Sequence, residues 1–308
     1  MSISNYPNGF PGGIELRGMP VLNTHPANVY WVHSGTGSNG NKGTRERPFA
    51  DIDYAVSRCS ANKGDIIVCL PGHTETITAA AAIDLDVAGI SLVGLGAGSL
   101  MPQIVFNHAN ASVAIGADNV TVKGMRFTSS ITAVTVGVNI EANVDYAIIE
   151  GNLFDVDATG TDEFNHSIRM VDGNIGTLIK DNVIHQGLGG AVAAIHMDAD
   201  TAYTRILGNY ITGDYSTACI VGDTTLSTDV LIKGNLLIQG IGGNIGTEPG
   251  IELLTGTTGV IADNYIVCNL ATMAASIVAD TCFLFQNYYN EDVNPGTGGL
   301  IGTASAND

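Results

Sequence analysis

A short pattern recurs along most of the chain: two apolar residues, a variable one, Gly or Asp, then Asn, then two mostly apolar residues. It reads AIIEGNLFDV at 147–156, LIKDNVIHQ at 178–186, RILGNYITG at 205–213, LIKGNLLIQ at 231–239 and VIADNYIVC at 260–268. VTVKGMRFT (120–128) is a degenerate copy with Met125 at the Asn position, and LFQNYYN (284–290) is a shortened one. The Asn positions 152, 182, 209, 235, 264 and 287 are 30, 27, 26, 29 and 23 residues apart. That spacing is too irregular for helical repeat arrays, and the segments are too short and β-branched for helices. Fixed strands joined by turns of variable length suit the coil of a parallel β-helix.

A second strand precedes each copy: VAIGAD (113–118), VGVNIE (136–141), SIRMVD (167–172), AIHMDA (194–199), CIVGDT (219–224), GIELLT (250–255) and SIVADT (276–281). These alternate apolar and polar residues, as a strand with one buried face does. Stacked in register, they place Ile168, Ile195, Ile220, Ile251 and Ile277 in one inward column. Ile149, Ile179, Ile206, Ile232 and Ile261 form a second, and Phe154, Ile184, Ile211, Leu237 and Ile266 a third. No coil buries its own inner face, but neighbours bury it for one another. The expected fold is all-β, a single-stranded parallel β-helix of eight or nine coils. The crossover rule makes it right-handed, and a rung spacing of about 4.8 Å makes it a rod roughly 40 Å long. The repeated Asn is read as structural, its amide exchanging hydrogen bonds with the Asn of the next coil.

Four segments are expected: an extended arm over 1–28, a strand, loop and capping helix over 29–64, the β-helix over 65–290 and a cap or tail over 291–308. Within the second, FADIDYAVSRCSANKG (49–64) reads as an amphipathic helix with Phe49, Ile52, Ala55, Val56 and Cys59 on one face. Such a helix would cover the open strand edges at the end of the stack.

Composition narrows the function. The net charge of −18, from 30 acids and 12 bases, opposes binding to nucleic acid or to anionic membranes. Five cysteines (Cys59, Cys69, Cys219, Cys268 and Cys282) lack ligand spacing and are expected to be free thiols. The N-terminal MSISNYPNGFPGG has neither the basic start nor the apolar run of a secretory signal, so synthesis in a cytoplasm is expected. No apolar stretch is long enough to span a bilayer.

The stretch 29–77, VYWVHSGTGSNGNKGTRERPFADIDYAVSRCSANKGDIIVCLPGHTETI, resembles the opening of pectate-lyase-like β-helix proteins. In those, a short strand, a Gly/Asn-rich loop, a capping helix and a strand of the form GD-apolar-PG begin the helix. The leading arm PNGFPGGIELRGMPVLNTHP is similar to openings of β-helix proteins encoded by tailed bacteriophages. The resemblance covers most of the chain and is specific for fold, not activity. It implies a non-enzymatic structural protein of a tailed-phage virion: a capsid decoration or cement protein, or another head or tail surface component. Capsid or tail proteins would be its partners, and a flank-to-flank homotrimer its assembly. The alternative is a tailspike-type polysaccharide depolymerase, lyase or hydrolase, or a host-glycan-binding protein.

Chemistry is sparse. The register places Arg169 beside His196 and Asp198 beside Asp223 on the outward face of the second strand set, with Asp280 near the same column and Leu254 interrupting it. Stacked acids one rung apart would approach the carboxylate separation of about 5 Å used by retaining glycosidases. These four are the catalytic candidates, but the sequence assigns no catalytic set, cofactor or metal, because no base is visibly matched to an Asp cluster. Asp84/Asp86, Asp155/Asp157 and Asp198/Asp200 are spaced to share a strand face. Asp162 and Glu163 sit in a loop that could hold a cation. His73 reads as a satisfied turn histidine, and His25 and His33 show no partner. The loop SGTGSNGNKGT (34–44) lacks the GK[ST] and helix of a nucleotide site. A single tryptophan, Trp31, and 6% aromatic residues count against a sugar groove lined by aromatic platforms.

Overall fold

A computed structural model describes residues 14–16, 19–21, 27–156, 162–187, 191–241, 244–270, 273–290 and 299–301. Most of the expected arm and tail, with Asp157 and His25, lie outside these residues; the described part of the arm is a short antiparallel pair, Ile14–Leu16 with Met19–Val21.

The rest is a parallel β-helix with three long sheets. The first has 10 strands, from Val29–Val32 to Phe283–Phe285. The second has 11, from Thr74–Ile77 through Tyr288–Asn290, where Gly299–Leu300 closes it antiparallel. The third has 8, from Ile83–Leu85 to Ile277–Val278, so eight coils visit all three faces.

All three inward columns pair rung by rung as the repeat requires. Ile168 stands opposite Ile195, then Ile220, Ile251 and Ile277. Ile149 leads the column through Ile179, Ile206, Ile232 and Ile261, and Phe154 the one through Ile184, Ile211, Leu237 and Ile266. These side chains are buried throughout. Near the N-terminal end the core switches to aromatic packing: Phe127 stacks on Phe154 with ring centres 4.7 Å apart, and Phe106 meets Phe164 edge-on at 4.9 Å.

The Asn ladder forms inside the turn between the first and second sheets. Asn152 Nδ2 donates to Asn182 Oδ1 at 3.1 Å, and the pattern repeats from Asn182 to Asn209, Asn235, Asn264 and Asn287. Each Nδ2 also donates to a main-chain carbonyl of the preceding rung, as Asn209 does to Ile179. Each Oδ1 takes a second bond from the preceding Asn's main-chain N–H. The residue before each Asn has positive φ, as at Gly151 (62°), Asp181 (53°) and Asp263 (55°). That left-handed bend is why Gly or Asp precedes Asn in the repeat. Where Met125 replaces Asn, its backbone N–H still donates to Asn152 Oδ1.

The helix expected over 49–64 is shorter, Ile52–Val56. Asp51 caps it, its Oδ1 accepting from Tyr54 N–H at 2.9 Å. Arg58 and Cys59 then bond three residues back, tightening the turn, and Asn62 and Gly64 enter the left-handed region and end any continuation. The expected apolar face holds: Phe49, Ile52, Ala55 and Val56 are buried and Cys59 half-buried. Among the described residues, no helix is long and apolar enough to cross a membrane. All five cysteines are free thiols, and burial pushes Cys59 and Cys268 up to about 12.

Candidate functional site

Polar side chains gather on the outer face of the third sheet. Its register sets Asn139 beside Arg169, Arg169 beside His196, His196 beside Val221 and Val221 beside Glu252, one residue per rung. Asp198 and Asp223 follow at the ends of the His196 and Val221 strands. The Arg169–His196 and Asp198–Asp223 adjacencies expected from the repeat are therefore present.

The expectation that no base matches the acids is corrected. Arg169 binds the Asp198 carboxylate through both Nε, at 3.0 Å, and Nη2. The pair was hidden because it is diagonal: Arg169 faces His196 in register, and Asp198 lies two residues further along the same face. His196 Nε2 lies 2.9 Å from Asp223 Oδ1 and 3.9 Å from Asp198 Oδ1. A carboxylate has no proton to give, so Nε2 carries it and donates. The Thr224 hydroxyl sits between the acids, 3.3 Å from Asp198 Oδ1 and 3.2 Å from Asp223 Oδ1.

Two further residues complete the group, and the sequence reading missed both. His166 stacks on His196 with ring centres 4.6 Å apart. Strict alternation would put His166 and Arg169 on opposite faces, but Ser167 and Ile168 are both buried inside, leaving both flanking residues outside. Glu252 extends the row on the C-terminal side. Asn139, also missed, lines a hollow of about 160 Å³ with Asn110, Ser112, Thr135 and Arg169.

The environments differ in sign. Burial pushes Asp198 up, but the hydrogen bond and charge of Arg169 outweigh it and hold the carboxyl below the usual range. Burial, then His196 and Arg169, hold His166 down to about 4, so its ring is neutral near pH 7. Burial, then Glu248 and Asp223, push Glu252 up. Among the described residues, Asn139 Oδ1, His166 Nδ1 and His196 Nδ1 are buried without a hydrogen-bond partner.

One ligating atom from each of His196, Asp198 and Asp223 lies within 4.8 Å of the others, a spacing a divalent cation could bridge. Arg169 already neutralises Asp198, however, and the Nε2 proton faces Asp223, so a cation there would have to displace both.

The other sequence candidates stay apart from this group. Asp155 pairs with Arg126 at 2.6 Å. Asp84 and Asp86 line a separate hollow with Asp53 beside the helix. Asp280 accepts from Thr255. Asp162 forms an isolated bridge with Thr132, and burial raises the neighbouring Glu163. His73 lies in the turn, its Nδ1 accepting from Ser34 N–H at 3.0 Å, but its buried Nε2, 3.3 Å from Glu75 Oε2, makes no hydrogen bond, so the ring is only half satisfied. His33 Nδ1 accepts from Gly35 and Thr36 N–H within its own turn. The Gly-rich loop packs on the helix start, where a Cβ on Gly37 would fall 2.0 Å from Phe49 O.

No protein-family model and no curated protein matches the chain. Among solved structures, a rhamnogalacturonan lyase superposes with a TM-score of 0.54 at 12% identity, over 85% of this chain and 73% of that one. A GH136 lacto-N-biosidase from Eubacterium ramulus is similar at 12% identity over 86% and 67%, with a TM-score of 0.35. The first likeness is one of fold: both chains are parallel β-helices.

Proposed function

We propose that this chain is a non-enzymatic surface component of a tailed-phage particle, a capsid decoration or other head or tail protein, whose third sheet holds a glycan-binding face towards the host. The observation that carries the binding face is the row Asn139, Arg169, His196 and, beyond Val221, Glu252, with His166, Asp198 and Asp223 alongside, polar side chains gathered on one outer face. Spaced polar groups along a rigid face suit successive sugars of one polymer. The fold shared with a rhamnogalacturonan lyase supports the same ligand class. The arm's resemblance to phage β-helix proteins supports the particle, made in the host cytoplasm, with capsid or tail proteins as partners and a homotrimer as the assembly.

Binding without cleavage is favoured at the central pair. Arg169 holds Asp198 ionised, so that carboxyl is a poor proton donor. Cleavage is the second reading, and one observation favours it: Glu252 is pushed up while Asp198 is pushed down, and carboxyls driven apart are how hydrolases divide acid from base.

The test is to incubate the chain with host surface polysaccharides and follow retention, new reducing ends and unsaturated uronides. Retention without new ends is the expected result. New ends that vanish in Asp198→Ala or Asp223→Ala, with the rod still folded, would establish the depolymerase instead. Labelling purified particles for this chain tests the virion assignment, and particles without it would overturn that part.

A further inference from the structure

The corner where the third sheet passes into the first bends the same way in successive coils. One residue per rung there has positive φ and donates its N–H to a carbonyl of the next rung: Gly89 to Asp118, Asn119 to Asp145, Tyr146 to Ile175, Gly176 to Ala202 and Tyr203 to Thr228. Asp229 continues the column. Gly, Asn and Asp take the left-handed conformation readily, and a bulky side chain does not. Among the described residues of this column, Tyr146 (φ 57°) and Tyr203 (φ 56°) are the exceptions. Their rings are 53% and 59% exposed, and neither phenol forms a hydrogen bond among the described residues, so no packing in the core offsets the strain. Strain kept at an exposed position points to a use outside the fold.

Gly176 gives a second, independent observation. A Cβ there would fall 2.6 Å from Tyr146 Cδ1 and 2.7 Å from Cε1, so the ring lies in the space a side chain at this position would fill. Tyr146 and Tyr203 stand two rungs apart, about 9.6 Å along the axis, with the exposed Ile175 on the intervening rung. These three side chains present roughly 300 Å², well short of the ~800 Å² per partner of a stable protein complex. Sugar rings suit that area, because their C–H faces stack on aromatic ones. Two rungs match the two-sugar repeat of an extended β-linked chain. The carboxylates of Asp145, beside Tyr146, and Asp229, next in the column after Tyr203, offer acceptors to sugar hydroxyls and repel acidic polymers.

We propose that this corner is a binding track for an extended β-linked polysaccharide without acid groups. The chain runs along the rod axis, with alternate sugars on Tyr146 and Tyr203 and the sugar between them over Ile175. The track is separate from the outer face of the third sheet and shares with the reading above only the class of ligand.

The test titrates the full chain with three probes: cellohexaose, its α-linked isomer maltohexaose, whose chain curves, and a galacturonate hexamer. Asn is a residue the fold itself uses at this bend, at Asn119, so Tyr146→Asn and Tyr203→Asn remove each ring without opposing the backbone. Tyr265→Ser removes a similarly exposed ring from the second sheet. The expected result is cellohexaose binding that weakens about tenfold in each Asn variant and is unchanged in Tyr265→Ser, with the other two probes bound more weakly than cellohexaose. Both Asn variants should melt at or above the wild-type temperature, since the left-handed strain is relieved. Variants that melt clearly lower would show that the rings hold the rungs together, and would overturn the assignment. Equal weakening by Tyr265→Ser would mean stacking on any exposed ring and would overturn it too. Equal binding of maltohexaose would overturn the spacing argument, and preference for the galacturonate hexamer the ligand class. If cellohexaose does not bind, the track fails, while the third-sheet face is judged apart by Asp198→Ala and Asp223→Ala.

Discussion

Arg169 passes over its in-register neighbour His196 to clasp the carboxylate of Asp198, two residues further along the next strand. That diagonal ties two rungs together on the outer face and decides the charge state of the acid. Both side chains are about a quarter to a third exposed, so solvent screens the pair and limits its worth.

Arg169→Leu should lower stability by roughly 1 kcal/mol or less, in line with partly exposed ion pairs. It should raise the Asp198 pKa, because the largest lowering influence is gone and burial is opposed only by His196 and the Thr224 hydroxyl. Carbon-detected NMR titration of the Asp198 carboxyl reads the second effect directly. An unmoved titration would mean that the guanidinium does not control this acid.

The ladder gives a larger effect. Asn209 accepts from the main-chain N–H and side-chain Nδ2 of Asn182, and donates to Asn235 Oδ1 and Ile179 O, all inside the rod. Asn209→Ala takes partners from buried donors and acceptors on the two neighbouring rungs, at a cost of about 2–4 kcal/mol. Chemical denaturation should show a lower midpoint. Asn209→Asp keeps the acceptors but loses the donors and buries a charge, so it should be no better tolerated than Ala. A variant as stable as wild type would remove the ladder from the forces that hold the coils.

Much of this was legible because a β-helix writes its geometry as a period. One Asn per coil fixed the register, and the register placed Ile195 between Ile168 and Ile220. What stayed hidden departs from that period. The diagonal from Arg169 to Asp198 is invisible to a comparison of in-register residues. His166 shares a face with Arg169 only because Ser167 and Ile168 both turn inward, against the two-residue alternation. The helix stopped at Val56 although its apolar spacing runs on to Cys59, since left-handed Asn62 and Gly64 were already committed to reversing the chain towards Asp65.

That reversal makes Asp51 and Asp65 testable. Asp65 is fully buried and accepts main-chain bonds from Asn28 and Ser60, at 2.6 and 2.8 Å. Asp51 caps the helix and holds Asn39 Nδ2 at 2.7 Å. Asp51→Ala should cost about 1–2 kcal/mol as a lost N-cap. Asp65→Leu should cost more, since it strands two donors where strand Val29–Val32 meets strand Ile66–Cys69. Limited proteolysis should then cut first near residues 57–64, and cleavage elsewhere in the rod would contradict this account.

The His166 ring gives a pH signature with a definite sign. Folding holds it down to about 4, against about 6.5 in an unfolded chain. Between those values the unfolded chain binds the extra proton and the folded chain does not, so stability falls as the solution is acidified. The contribution is complete above about pH 6.5 and is lost as pH drops towards about 4, below which the ring is protonated in both states. Raised acids such as Glu252 and Asp84 act with the opposite sign, their contribution fading as pH rises. The wild-type curve alone therefore mixes the two. Subtracting the melting temperatures of His166→Gln from those of wild type isolates the ring, and the difference should shrink on acidification from about pH 6.5 to about 4. A difference independent of pH would mean that His166 titrates normally, exposed to solvent, and that the outer face is more open than its stacking on His196 implies.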